Sequence, residues 1–233
     1  MPEPESRRGR VHDAEGAREA ILNAAEAIFA EHGFDGARID TIAAASGYNK
    51  SLLFHYFDDK LGLYAAVIRR ADKELDELQE QIVASLQQMA ASLHDEATLS
   101  RLEFSAMLKT VIGAFFDYLI EHPRFMRILL WEMAEGWQTY AKIMSQKDRE
   151  DVNRMMPIFH KLQRDGLLRS GVDPAVQVVI AIFSCYYYLS TLPLLQMLLP
   201  GQDISSAAAL ARAKEYVIEF VTRGLIVDPA EHT

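Results

Sequence analysis

The chain has 233 residues, half of them hydrophobic and 24% charged, with a formal net charge of -9. That balance suits a globular protein with a substantial core and excludes fibrous and intrinsically disordered chains. The single cysteine, Cys185, excludes an internal disulfide, and no C-x-x-C or paired Cys/His spacing offers a zinc site, so a reducing cytoplasm is the expected compartment.

Residues 1–11 are polar, carry Arg7, Arg8 and Arg10, and lack the apolar run of a secretory signal, so a flexible arm is expected there. Apolar residues at Ile21, Ala24, Ala25, Ile28 and Phe29 follow a three-and-four spacing. They predict a first helix from about Asp13 to His32, with Gly33 at its C-terminal glycine position. After the turn Gly33-Phe34-Asp35-Gly36, the residues Ile39, Ile42, Ala43 and Ala45 mark a short second helix that Gly47 closes. Asn49 is placed to cap a third short helix, Lys50 to Phe57, by accepting a bond from an otherwise unpaired backbone N–H. Asp58 and Asp59 supply the next cap, and Leu61, Tyr64, Ala65 and Ile68 begin a long fourth helix that reaches Leu75 and Leu78.

Further helices are predicted at roughly 99–121, 124–138, 147–165, 175–198 and 205–226, separated by His122-Pro123, Gly166, Gly171 and Pro200-Gly201. No stretch alternates as a strand would, and no repeat or Gly/Ser linker interrupts the chain. The expected fold is all-α. A helix-turn-helix headpiece occupies 12–64, a helical body 65–228 and a short tail 229–233. Ala175 to Leu199 is the most apolar segment, but Gln177, Ser184, Ser190, Pro193 and Gln196 interrupt it, which argues against a bilayer span of about 20 residues.

Two short helices joined through Gly47-Tyr48-Asn49 have the spacing of a helix-turn-helix, in which the second helix enters the major groove and the first braces it. The run from Ile39 to Tyr64 resembles the signature of the tetracycline-repressor (TetR) family. The resemblance rests on the Gly-Phe turn, Ile42-Ala43, Ala45, Gly47, the aromatic run Phe54-His55-Tyr56-Phe57, and Lys60 ahead of Leu63. It implies that Tyr48, Asn49, Lys50, Ser51, Leu52, His55, Tyr56 and Lys60 face DNA, while Leu53, Phe54 and Phe57 include core-facing positions. Arg38, standing where the family often has a small hydroxylic residue, joins the DNA-facing set, and Leu52 replaces a residue that is frequently polar. Hydroxyl, imidazole and amide groups can bond phosphates, Lys50 and Ser51 can reach base edges, and Leu52 can touch a thymine methyl group.

Charge gives this reading no help. Residues 1–73 hold ten Lys and Arg against twelve Asp and Glu, so the candidate phosphate partners Arg7, Arg8, Arg10, Lys50 and Lys60 must act by local placement.

The resemblance further implies a body that dimerises and holds a small-molecule effector. The broad apolar stripes at 175–198 and 205–226 suit a homodimer contact between two copies. A two-fold dimer would present its readers to successive major grooves of a palindromic double-stranded DNA operator. Bulky and aromatic residues at Met126, Leu130, Trp131, Met133, Trp137 and Tyr140 suit the lining of a pocket for an apolar or aromatic effector, and ordinary core packing would give the same pattern. Phe104, Met107, Phe159, Tyr186 and Tyr187 are weaker companions.

No H-E-x-x-H, G-x-S-x-G, phosphate-binding loop or dinucleotide fingerprint occurs, so neither an enzyme nor a cofactor or metal site is expected. The leading expectation is a cytoplasmic, nucleoid-bound homodimeric repressor. The alternatives are an activator with the same DNA-binding head and a helical ligand carrier or protein-interaction module that has lost DNA affinity.

Overall fold

The computed structural model describes residues 5–71, 80, 84, 101–144 and 146–227. The named helices are α1 (Glu5–Gly36), α2 (Ile39–Ser46), α3 (Lys50–Phe57), α4 (60–71), α5 (Arg101–Glu121), α6 (Pro123–Ala134), α7 (Gln138–Ile143), α8 (Gln146–Arg164), α9 (Pro174–Leu198) and α10 (Ala207–Leu225). Among the described residues the only extended pairing is an isolated antiparallel bridge, Leu168 with Ile226. The chain divides into two compact units, one of residues 1–76 and 123–144, the other of 77–122 and 145–233.

In the first unit, the inward faces of α1, α2, α3 and α4 bury Ile21, Leu22, Phe29, Ile42, Leu53, Leu63 and Ile68, each at 2% exposure or less. Burying such side chains contributes about 1.5–3 kcal/mol apiece before conformational entropy is set against it. Helix α6, distant in sequence, packs on α1 as part of this unit. Residues 123–144, expected from sequence in the body, therefore belong to the same compact unit as the headpiece helices.

Three features fix that packing. The chain kinks at Gly33 (φ 68°, ψ -177°), a backbone conformation open in practice only to glycine. A Cβ there would lie 3.0 Å from Cδ2 of Trp131, whose indole N–H donates to the Ala30 carbonyl at 3.3 Å. On α4, Arg70 ties back to α1 through Asn23 at 2.7 Å, Glu19 at 3.4 Å, and Glu26. Glu132 of α6, wholly buried, accepts from the Tyr64 hydroxyl at 2.6 Å and from the Tyr140 backbone N–H at 2.9 Å. The Tyr64 ring meets Phe29 and Phe34 edge-on, with centroids 4.8 and 5.1 Å apart.

Two sequence expectations are corrected here. Residues 5–11, expected in a flexible arm, lie in α1, since Glu and Arg are good helix formers and no proline falls between Pro4 and the end of α1. The side chains of Arg7, Arg8 and Arg10 fall outside the described residues, as do Leu75, Leu78 and the tail 229–233. The helix expected over 124–138 breaks after Ala134: Gly136 (φ 71°) and Trp137 (φ 62°) turn left-handed, and the Trp137 N–H closes back onto the Glu132 carbonyl at 2.7 Å.

In the second unit α5, α9 and α10 pack together, and α8 packs on α9. Phe104, Phe116, Leu119 and Leu162 are buried at 1% exposure or less. Asp173 and Ser206 cap α9 and α10, accepting from the N–H groups of Ala175 and Ala209, which starts both helices close to where the sequence placed them. The Lys214 ammonium bonds both carboxylate oxygens of Asp117 at 3.0 Å, joining α10 to α5. α9 is long and apolar enough to cross a membrane by length and composition. One face of it buries Cys185, Tyr186 and Leu189 inside this unit.

Candidate nucleic-acid interface

The helix-turn-helix is built by three local devices. Gly47 takes the left-handed conformation (φ 77°, ψ 10°) that ends α2, and the Tyr48 N–H bonds the Ala43 carbonyl at 3.2 Å. Asn49 then accepts from the Leu52 N–H at 2.9 Å and starts α3. Asp59 accepts from the Gly62 N–H at 2.7 Å and starts α4, the second cap foreseen from sequence.

With Leu53 and Phe57 turned into the core, α3 leaves Lys50, Ser51, Phe54 and His55 exposed, spaced along its outer face. The DNA-facing candidates divide accordingly. Arg38, Asn49, Lys50, Ser51 and His55 are exposed, while Tyr48, Leu52, Tyr56 and Lys60 are half-buried. Tyr56 sits between the rings of His55 and Phe57, at 5.5 and 6.1 Å. Asn49 is in the set, yet its side-chain oxygen is occupied by the cap.

Charge is arranged with restraint. The Lys50 ammonium lies 2.9 Å from Oδ1 of Asp40 on α2. The hydrogen bond from Lys50, and then its charge, hold the Asp40 carboxyl below the usual carboxylate range. Lys60 donates to the Asp35 carbonyl at 3.3 Å, and its ammonium lies 4.7 Å from the centroid of the Phe34 ring. Burial lowers the Lys60 pKa, with Asp35 and Glu135 opposing the shift. Both lysines are thus positioned by protein partners rather than swinging free.

Two residues of this surface escaped the sequence reading. Phe54, grouped there with the core-facing positions, is 39% exposed, because it falls three and four residues beyond Ser51 and Lys50 on the outward side of α3. Asp40 had no assigned role. Its spacing from Lys50 spans the turn, so only the folded α2–α3 geometry brings the two together.

The eleven effector candidates are distributed over both compact units. Phe104, Phe159 and Tyr186 are core residues of the second unit, where Tyr187 is 74% exposed and Met107 half-buried. Met126, Leu130, Trp131, Met133, Trp137 and Tyr140 belong to the first unit, with Trp131 against Gly33 and the Tyr140 N–H on Glu132. The broad groove of the second unit, between α5 and α10, is lined by none of the eleven. Among the described residues no cluster of His, Cys, Asp or Glu could hold a metal.

Residues 21–67 match the family model for bacterial regulatory proteins of the tetR family, and residues 105–221 match that of a tetracyclin repressor-like C-terminal domain. The HTH-type transcriptional repressor NicS of Pseudomonas putida is 27% identical over 93% of this chain and 95% of its own. The HTH-type transcriptional activator FasR of Mycolicibacterium smegmatis is 27% identical over 79% of this chain and 78% of its own. In fold, a TetR family transcription regulator from Marinobacter aquaeolei VT8 superposes with a TM-score of 0.57 at 18% identity, covering 94% of this chain and all of the other. Members of this family are DNA-binding transcription factors rather than enzymes. The chain belongs to the TetR family of bacterial transcriptional regulators.

Proposed function

We propose that the protein is a homodimeric, ligand-responsive repressor that places the α3 of each protomer in successive major grooves of a palindromic operator. The observation that carries this is the outward face of α3, where Lys50, Ser51, Phe54 and His55 stand exposed on a helix fixed at both ends by Gly47, Asn49 and Asp59. In this reading Ser51 and His55 meet base edges and Lys50 reaches a base or a phosphate. Arg38, Tyr48, Tyr56, Lys60 and the Asn49 amide hold phosphates. Leu52 and Phe54 offer apolar contact to thymine methyl groups.

The dimer reading is supported by α9 and α10, which leave Ile180, Tyr187, Met197, Tyr216 and Phe220 more than half exposed. So many large apolar side chains on two helices are what an interface between copies requires. Repression follows the name of NicS, whereas FasR is named an activator, and the sign of the output depends on where the operator lies.

Selection from a random duplex library tests the reading. Two half-sites about one helical turn apart should be enriched. Phe220→Asp should yield a monomer in sedimentation velocity and weaken operator binding. Absence of enrichment would remove the DNA reading, and a dimer that survived Phe220→Asp would remove the interface.

A further inference from the structure

The second unit carries a groove that the DNA-binding role does not use. Along the seam between α5 and α10, Gly113 lets the helices close, since a Cβ there would lie 3.3 Å from Ile218. Farther toward Arg101 the lining side chains include the small Ser105 and Thr222, and a groove of about 800 Å³ opens. That lies within the range of roughly 300–1,000 Å³ typical of small-molecule sites.

We propose that this groove binds an amphipathic organic anion, with an apolar body along the floor and a carboxylate or phosphate head at the basic rim. The floor is apolar: Ile218, Ile226 and Val227 are each 9% exposed or less, and Leu102 on the rim leaves 80% of its surface in water. Within that floor the Thr222 hydroxyl, in a residue 5% exposed, has no hydrogen-bond partner. A buried hydroxyl left unsatisfied is costly, and a ligand's polar group would supply the missing partner.

The rim inverts the charge of the whole chain. Among the described lining residues, Arg101, Lys109, Arg169 and Arg223 outnumber the acids Glu215 and Glu219, in a protein of net charge -9. Arg223 and Glu219 pair with each other at 2.6 Å. Arg101 and Lys109 have no acidic partner within ion-pair distance among the described residues. A purely apolar guest would leave those cations unanswered, and a bare inorganic anion would leave the floor wet. A molecule with both ends satisfies both.

The inference deepens the reading of the body as a ligand sensor and rests on it only for the consequence at the operator. Calorimetric titration of the full chain with octanoate and octyl phosphate, against octanol and inorganic phosphate, tests the binding. At least one of the two amphipathic anions should saturate at one per protomer. Octanol and inorganic phosphate should each bind at least about tenfold more weakly. The double variant Arg101→Ala, Lys109→Ala should lose about tenfold or more in affinity, and Thr222→Val several-fold, with unchanged circular dichroism.

No saturable binding, equal affinity of inorganic phosphate, or an unaffected double variant would overturn the proposal. Operator release is read separately by anisotropy. Binding without release leaves the groove standing and removes only its role as the effector site.

Discussion

Replacing Tyr64 by Phe deletes one oxygen atom and leaves the wholly buried Glu132 carboxylate with the Tyr140 N–H as its remaining partner among the described residues. The ring keeps its contacts with Phe29 and Phe34, so the apolar contribution is unchanged. A hydrogen bond to a charged group contributes about 1.5–3 kcal/mol, and breaking a buried charged network costs about 3–5 kcal/mol. A loss near 3 kcal/mol is therefore expected. Glu132→Gln, which keeps an acceptor oxygen, should cost about 1 kcal/mol. Glu132→Leu with Tyr64→Phe removes both partners and should recover part of the loss, because no charge is then left buried.

Urea unfolding reports this directly, since the only tryptophans, Trp131 and Trp137, both lie in the unit that holds the bond. With slopes of about 1–3 kcal/mol per molar, the Tyr64→Phe midpoint should fall by roughly 1–3 M. A shift below about 0.3 M, or a double variant as unstable as the sum of the singles, would refute the reasoning. Burial, then Glu132, raises the Tyr64 pKa. Because the folded value lies above the unfolded one, this contribution is fully present below about pH 10 and is lost only as pH rises beyond it.

Gly33→Ala should destabilise the first unit by about 2–3 kcal/mol in the same assay, since it combines a glycine-only backbone conformation with a 3.0 Å approach to Trp131; a change within about 0.5 kcal/mol would contradict the packing. Asp40→Asn should release Lys50 and raise affinity for any duplex, with a salt slope steeper by about one, measured by anisotropy across a salt series. The Asp40 pKa is depressed, so the pair is intact above the usual carboxylate value and is lost only as pH falls through the lower folded one; the effect should be constant from pH 6 to 8. Burial pushes the Cys185 thiol up to about 12, so iodoacetamide at pH 8 should label it only after denaturation, and rapid labelling of the native protein would contradict its placement.

The headpiece was legible because its signals are local. Gly47, Asn49 and Asp59 each act within a few residues, and the structure keeps each in its expected role. The break after Ala134 was not legible: a tryptophan at φ 62° follows no propensity, and it is held by the turn onto Glu132. Nor was the bond between Tyr64 and Glu132, residues 68 apart in sequence, whose partnership exists only once α6 packs with the headpiece helices. Phe54 illustrates a third limit. An aromatic run such as Phe54 to Phe57 reads as core until the inward face of α3 is fixed by Leu53 and Phe57. The effector candidates were the least legible, because bulky residues at helical spacing mark core faces and ligand-lining faces alike, and these residues are shared between two units.

The most direct test of the account is the ratio of affinities for a selected operator and a scrambled duplex, in the wild type and in Ser51→Ala, His55→Ala. The wild type should prefer its operator by about a thousandfold or more, and the α3 variant should fall to within about tenfold of parity with its fold intact. A variant that kept the full preference would show that α3 is not the reader.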